Sequence, residues 1–369
     1  MNRLRQLVER SIQIIKLNQH PSGSYVACPM FLHYGYSWLR DGTFIAYAMD
    51  CSGEHDSALK FYEWVDRVVG GKKEQIRTLL QRHREHQFIP QNDYLNARYH
   101  LGGGEDYSEW GHFQLDGYGT WLWGLSEHVG RTGNDRLIEK FRETIEATAD
   151  YLQAFWMMPN FDCWEEHGDS LHPSTLACIY GGLKAAEKWL GRPDLGQTCE
   201  DIRKLLLAHA VHDGHFVKNF RHDGQGGFMQ GNTGVDASLL WLAVPFSIFG
   251  PEEPAMKRTI EMIKAELQGP GGGIRRYAGD TYYGGGEWLL LTAWHGWVQL
   301  KTGNTDEADK ALHWIVDQSD ELGRLPEQAS QYADQAAYEG WMKRWGHPAI
   351  PLLWSHAMFL VLYRQQVAE

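Results

Sequence analysis

The sequence predicts an all-α fold, an (α/α)6 barrel of six inner and six outer helices. Three observations predict it. Apolar residues recur at helical spacing along the whole chain, while strand-like alternation is scarce. The helical segments alternate between an amphipathic, charged kind and a kind that is apolar nearly all round, which belongs inside. The connections alternate too, with a short turn after each inner helix and a long loop after each outer one. The chain has 369 residues, 43% of them hydrophobic, enough to bury a large core. Barrels of this size occur as one unit, so residues 1–369 are expected to form a single domain.

The elements follow in order. The first outer helix is expected over 3–18, where RLRQLVERSIQIIKL sets charges on one face and apolar residues on the other. An inner helix at 41–51 passes through CSGEHD, a helix-stop and N-cap signal, to an outer helix at 55–69. A further helix is expected at 72–86, inside a long connection. The second inner helix, 116–128, leads through GRTGND into a charged outer helix at 134–156. The third pair is 173–190, with the small residues of STLACIYGGLKAA, and 197–210. The fourth is 235–247, VDASLLWLAVPF, followed by 254–267, and the fifth is 286–302 followed by 306–319. The last inner helix is expected at 349–365. A solenoid of helical pairs is the other architecture such a pattern allows, but the long loops are unequal and share no repeat consensus.

Composition excludes several functions. Lys and Arg number 35 against 47 Asp and Glu, a net charge of -12, which argues against nucleic acid and against an anionic membrane surface. The most apolar stretch, 237–249, is shorter than the roughly 20 residues a bilayer span takes. The N-terminus has no apolar h-region and no small-residue cleavage site, as a secretory leader would. The five cysteines are Cys28, Cys51, Cys163, Cys178 and Cys199, none at C-x-x-C spacing. That pattern fits free thiols in a reducing cytoplasm better than disulfides or structural zinc. His83 with His86 and His167 with His172 lack a third convergent ligand, so no metal is expected. No nucleophile elbow is present.

If the barrel is right, the long loops open on one face and their contents meet. Five of the six combine an aromatic residue with a carboxylate, and the chain holds 16 Trp. Aromatic faces beside carboxylates and Arg suit a sugar, whose C–H face stacks and whose hydroxyls take charged hydrogen bonds. Glycoside hydrolysis needs two carboxyl groups, one protonated and one ionised. Glu165 and Glu166, adjacent in FDCWEEHGD, are candidates, since neighbouring carboxylates beside Trp164 would push one pKa up. Without context they read better as a surface acidic pair. Glu327 in RLPEQ is another candidate, or a first-turn helix Glu. Arg40 and Asp41, in WLRD, offer a donor fork and an acceptor with Trp38 and Tyr34 as stacking surfaces, although Asp41 could be only an N-cap. Arg276, Tyr277 and Asp280 precede three glycines that let backbone approach a ligand.

These segments resemble glycoside hydrolase family 15, the glucoamylase and glucodextranase family. YGYSWLRDGTF, QLDGYG, DCWEEHGDS, VDASLLWL, RRYAGDTYYGGGEWLLLTAW, LPEQ and PLLWSHAMFL match in family order along nearly the whole chain. The resemblance implies one (α/α)6 catalytic domain with Glu165 as general acid and Glu327 as general base. It also implies that Glu166, Trp164, Arg40, Asp41, Tyr34, Trp38, Arg276 and Trp288 bind substrate. The family inverts, so its two carboxyls should stand roughly 6.5–9.5 Å apart. Where the family pattern has Asn-Pro before its Trp, this chain has Gly286 and Glu287 before Trp288, which puts the next-subsite contacts and the linkage preference in question. Neither a β-sandwich domain nor a starch-binding module is expected.

The leading expectation is an inverting exo-acting α-glucoside hydrolase that releases β-glucose from a short oligosaccharide, with no cofactor. The linkage, α-1,4, α-1,6 or α,α-1,1, stays open, as does the oligomeric state. An inverting phosphorylase on the same barrel would need no carboxylate base, so Glu327 counts against it. A non-catalytic sugar-binding or regulatory barrel is the third reading.

Overall fold

The computed structural model describes residues 3–368. Its elements are α1 (Arg3–Leu17), β1 (Ser37–Trp38), α2 (Leu39–Cys51), α3 (His55–Gly70), α4 (Lys73–Arg84), β2 (Arg98–Tyr99), α5 (Asp116–Thr132), α6 (Arg136–Lys140) and α7 (Arg142–Phe155). They continue with α8 (Pro173–Leu190), α9 (Pro193–His209), β3 (Val211–His212), β4 (His215–Phe216), β5 (Phe220–His222), β6 (Phe228–Gln230), α10 (Pro254–Leu267) and β7 (Glu287–Trp288). The last are α11 (Leu289–Lys301), α12 (Thr305–Asp317), β8 (Gln328–Ala329), α13 (Gln335–Trp345) and α14 (Leu353–Ala368).

In the inner ring α2, α5, α8, a 3-10 helix (Ala237–Leu242), α11 and α14 each pack on the next, and α14 closes back onto α2. Around it lie α1, α3, α7, α9, α10 and α12, the outer layer of an (α/α)6 barrel. Burial separates the two kinds as the sequence predicts. Every residue of α2 from Leu39 to Asp50 is buried. By contrast α12 buries Ala308, Ala311, Leu312, Ile315 and Val316, one helical stripe. Small residues let the inner helices touch. A Cβ on Gly119 of α5 would stand 2.3 Å from the Cys178 carbonyl oxygen of α8, and one on Gly182 would stand 2.5 Å from the Gly119 oxygen.

Aromatic rings fill the inside of the ring. Phe44 stacks on Trp354 at 5.8 Å and meets Trp294 edge-on at 4.8 Å, and Trp241 lies 5.3 Å from Trp294. The inner elements run parallel, so their N-termini gather at the long-loop end. Two-residue clips tie neighbouring loops there: β1 pairs with β2, and β7 with β8, both antiparallel. The pairs β3–β4 and β5–β6 ornament the connection after α9.

Several sequence expectations need correction. The inner helix expected at 235–247 is the six-residue 3-10 helix, because Pro245 has no N–H to donate and its ring excludes the carbonyl four residues back. The outer helix expected at 134–156 breaks at Phe141 into α6 and α7, and no Gly or Pro marks the break. The sixth long loop contains α13, whose N-cap Asp334 accepts the Ala337 N–H at 2.9 Å. The helix expected at 72–86 is α4. At the opposite end of α2 from Arg40, the histidines are less scattered than the sequence implied. Asp50 lies 2.8 Å from His55 Nδ1 and 2.9 Å from His128 Nδ1, two imidazole-to-carboxylate hydrogen bonds that tie the α2–α3 turn to α5. Among the described residues no helix is long and apolar enough to cross a membrane.

The α5–α8 contact has no room for a methyl group. Gly119→Ala is expected to destabilise the protein by about 1–3 kcal/mol, the usual range for overpacking, seen as a lower denaturation midpoint; an unchanged midpoint would mean that the two helices part freely.

Candidate active site

All ten site residues expected from the sequence line one cavity of about 350 Å³ at the long-loop end. Arg40 and Asp41 sit in the first turn of α2, carried there by the β1 clip. The Arg40 guanidinium donates to Asp116 Oδ2 at 2.8 Å and to Gln114 Oε1 at 3.1 Å, and its Nε lies 3.2 Å from Asp41 Oδ2. Arg40 thus fastens the start of α2 to the start of α5. Burial lifts the Asp41 carboxyl to about 6, against the opposing pull of Arg40.

Glu165 and Glu166 sit on a tight turn closed by Asp162. The Asp162 carboxylate accepts the Trp164 and Glu166 N–H groups, both at 2.9 Å, and its backbone oxygen accepts the Glu165 N–H. Glu165 takes a left-handed backbone, φ 67°, uncommon for a residue with a Cβ. The turn sends the two carboxylates apart. Glu165 accepts from Trp38 Nε1 at 2.6 Å and Gln114 Nε2 at 3.2 Å. Glu166 accepts the Tyr277 hydroxyl at 2.6 Å and lies 3.5 Å from Arg276.

Glu327 immediately precedes the β8 clip, with its N–H on the Ala349 carbonyl. Its side chain is buried, and among the described residues its Oε2 has no hydrogen-bond partner. Burial pushes its carboxyl up to about 7, and the Tyr34 hydroxyl, Arg276 and the Tyr282 hydroxyl offset only part of that. Desolvation, not a neighbouring carboxylate, is what lifts Glu327. Tyr34 and Tyr282 share a hydrogen bond of 2.8 Å. Arg276 is clamped by Asp280 at 2.5 and 2.7 Å and faces the rings of Tyr282, Trp164 and Trp288. Trp164 anchors its indole N–H on Asp236 at 3.0 Å.

Three comparisons decide what this barrel is. The model of Glycosyl hydrolases family 15 matches residues 2–364. The chain belongs to glycosyl hydrolase family 15. Isomaltose glucohydrolase of Kribbella flavida is 38% identical, over 98% of this chain and 92% of that protein. A solved wild-type glycosidase superposes with TM-score 0.92 at 37% identity, covering 99% of this chain and 97% of its own; a variant of it is solved in complex with glucose. A bacterial glucoamylase complexed with acarbose, 17% identical, shares the fold with TM-score 0.73 over 100% of this chain and 56% of its own.

This family 15 cavity holds residues that sequence reasoning did not assign to it. Glu109 and Trp110 come from the second loop, and Trp341 and Trp345 from α13. Asp334 as an N-cap, with two Trp four residues apart, was the signal for that helix. Trp354 joins from the first turn of α14. The departure at Gly286 and Glu287 turns out to be structural. The buried Glu287 side chain faces away from the cavity and accepts the N–H groups of Gly271 at 2.8 Å and Gly273 at 3.0 Å. Gly286 passes so close to β8 that a Cβ would lie 2.4 Å from Gln328 Oε1.

Glu287→Ala strands two backbone N–H groups, and each orphaned buried donor costs about 1–3 kcal/mol. The expected outcome is a clear loss of stability on denaturant unfolding; stability equal to the wild type would mean that the Glu287 hydrogen bonds to the glycine loop add nothing to the fold.

Proposed function

We propose that this protein is an inverting, exo-acting α-glucosidase that cleaves glucose from the non-reducing end of a short α-glucoside, with isomaltose its favoured substrate. The observation that carries the reading is the convergence of Glu165 and Glu327 on one small cavity walled by Trp and Tyr and equipped with Arg40, Asp41 and Arg276. In the reaction the Glu165 carboxylic acid gives its proton to the glycosidic oxygen. The Glu327 carboxylate takes a proton from water as that water bonds to C1 on the opposite face. The C1–oxygen bond breaks and β-glucose leaves. Arg40 and Asp41 hold hydroxyls of the terminal glucose, with Tyr34 and Trp38 beside them. Glu166 and Arg276 bind near the acid, and Trp164 and Trp288 stack.

The cavity lies at the small end of the roughly 300–1,000 Å³ that ligand pockets span, which favours a disaccharide over a polymer. The 38% identical isomaltose glucohydrolase supports the α-1,6 linkage. A carboxylate at position 327 favours water over phosphate as the attacking group. Residues 1–369 are read as one catalytic domain. The five unpaired cysteines support a reducing compartment, the cytoplasm.

Proton NMR of isomaltose, maltose and trehalose digests tests the reading: β-glucose should appear first, and fastest from isomaltose. Early α-glucose would sink the inverting assignment. Glu165→Gln and Glu327→Gln should each lower isomaltose turnover by about 100-fold or more; near-normal turnover in either removes that residue from its role.

The base must be ionised to act, and its carboxyl is pushed up to about 7. Activity is therefore expected to rise with pH through about 7 on the acid limb of kcat/KM. Tyr282→Phe removes a hydroxyl that favours the ionised form, so its acid limb should move to higher pH; a limb at or below that of the wild type contradicts Glu327 as base.

A further inference from the structure

Behind the turn that carries Glu165, outside the cavity lining, lies a buried cation. Lys218 follows β4 in the long connection after α9, and its side chain is 2% exposed. Its Nζ donates to Asp236 Oδ2 at 2.9 Å and lies 3.7 Å from Glu166 Oε2 and 3.8 Å from Asp162 Oδ2. It also sits 3.2 Å from the centroid of the Tyr277 ring. Each of these partners has a second task in the site. Asp162 closes the acid turn by accepting the Trp164 and Glu166 N–H groups. Asp236 holds the Trp164 indole and accepts the Ser238 N–H at 2.8 Å and hydroxyl at 2.7 Å. Glu166 and Tyr277 share the 2.6 Å hydrogen bond at the cavity wall.

Two of these three carboxylates, Asp162 and Asp236, are buried. Without a cation they would repel one another across a low-dielectric gap and pull the turn apart. Among the described residues no cation is in hydrogen-bond contact with Glu165; its place depends on Trp38, Gln114 and the shape of this turn.

We propose that Lys218 is a positioning residue for proton donation, holding Asp162, Asp236 and Glu166 together so that the turn presents Glu165 to the glycosidic oxygen. This rests on the reading of Glu165 as the acid. Lys218 touches neither substrate nor reacting atoms; it acts through the turn.

The test uses two substrates on the full chain, isomaltose and α-glucosyl fluoride. Fluoride leaves without a proton from the enzyme, so a defect in acid placement shows on the disaccharide and much less on the fluoride. Lys218→Met should lower kcat/KM for isomaltose by about 100-fold, the scale of a misplacement of about 1 Å. The loss on α-glucosyl fluoride should stay below about 10-fold, since only the uniform part of the disturbance remains there. Asp236→Asn, which keeps the shape and removes the anchoring charge, should show the same bias and decides the matter if the Met variant fails to fold. Equal losses on both substrates, or wild-type rates on both, overturn the proposal. Glu165→Gln assayed on the same pair separates the two readings. If it shows the bias and the Lys218 and Asp236 variants do not, Lys218 has no part in placing the acid. If Glu165→Gln loses both substrates equally, the acid assignment falls and the proposal with it.

Discussion

The parallel direction of the inner ring governs the rest of this structure. A helix begins with unpaired N–H groups and the positive end of its dipole, and the parallel ring brings its N-termini to one end. That end favours carboxylates, and they are there: Asp41 in the first turn of α2, Asp116 at the start of α5, Asp236 capping the 3-10 helix. It also forces each outer helix to carry the chain back, so every loop on this face is long enough to hold functional groups. The site is assembled from loops because the ring leaves the loops nowhere else to meet.

Loops alone would place side chains loosely. Here each is fastened to something rigid. Arg40 spans the first turns of two inner helices. The β7–β8 clip seats Trp288 opposite Gln328, next to Glu327, and Glu287 ties the glycine loop before it. The turn of Glu165 is closed by Asp162. Charge is balanced locally as well. At the cavity wall Arg276 has Asp280, and behind the acid turn Lys218 has Asp236.

The sequence exposed most of this architecture, because the two kinds of helix differ in how many faces they bury, and that difference is written in composition. It misled where one residue outweighed a pattern. Pro245 turned an apolar helix-like run into a short 3-10 segment. In the sixth loop Trp341 and Trp345 face the cavity, so their helix has no core-facing stripe and reads as loop. The site was legible as residue types and order. Electrostatics were not: the sequence does not show the left-handed turn that gives Glu165 and Glu166 different partners, or the burial that raises Glu327. Lys218 was invisible as a partner because its contacts come from three different connections.

The aromatic packing inside the ring has one more consequence. Trp354 lines the cavity and stacks on Phe44, which meets Trp294 and, through it, Trp241. Among the described residues, these rings pack the barrel axis behind the cavity. On the proposed reaction a sugar would enter by its end, and both fragments would leave by the mouth at the long-loop face. On that reading the enzyme would let go after every cut, and the glucose it releases would compete with the next α-glucoside for the same seat.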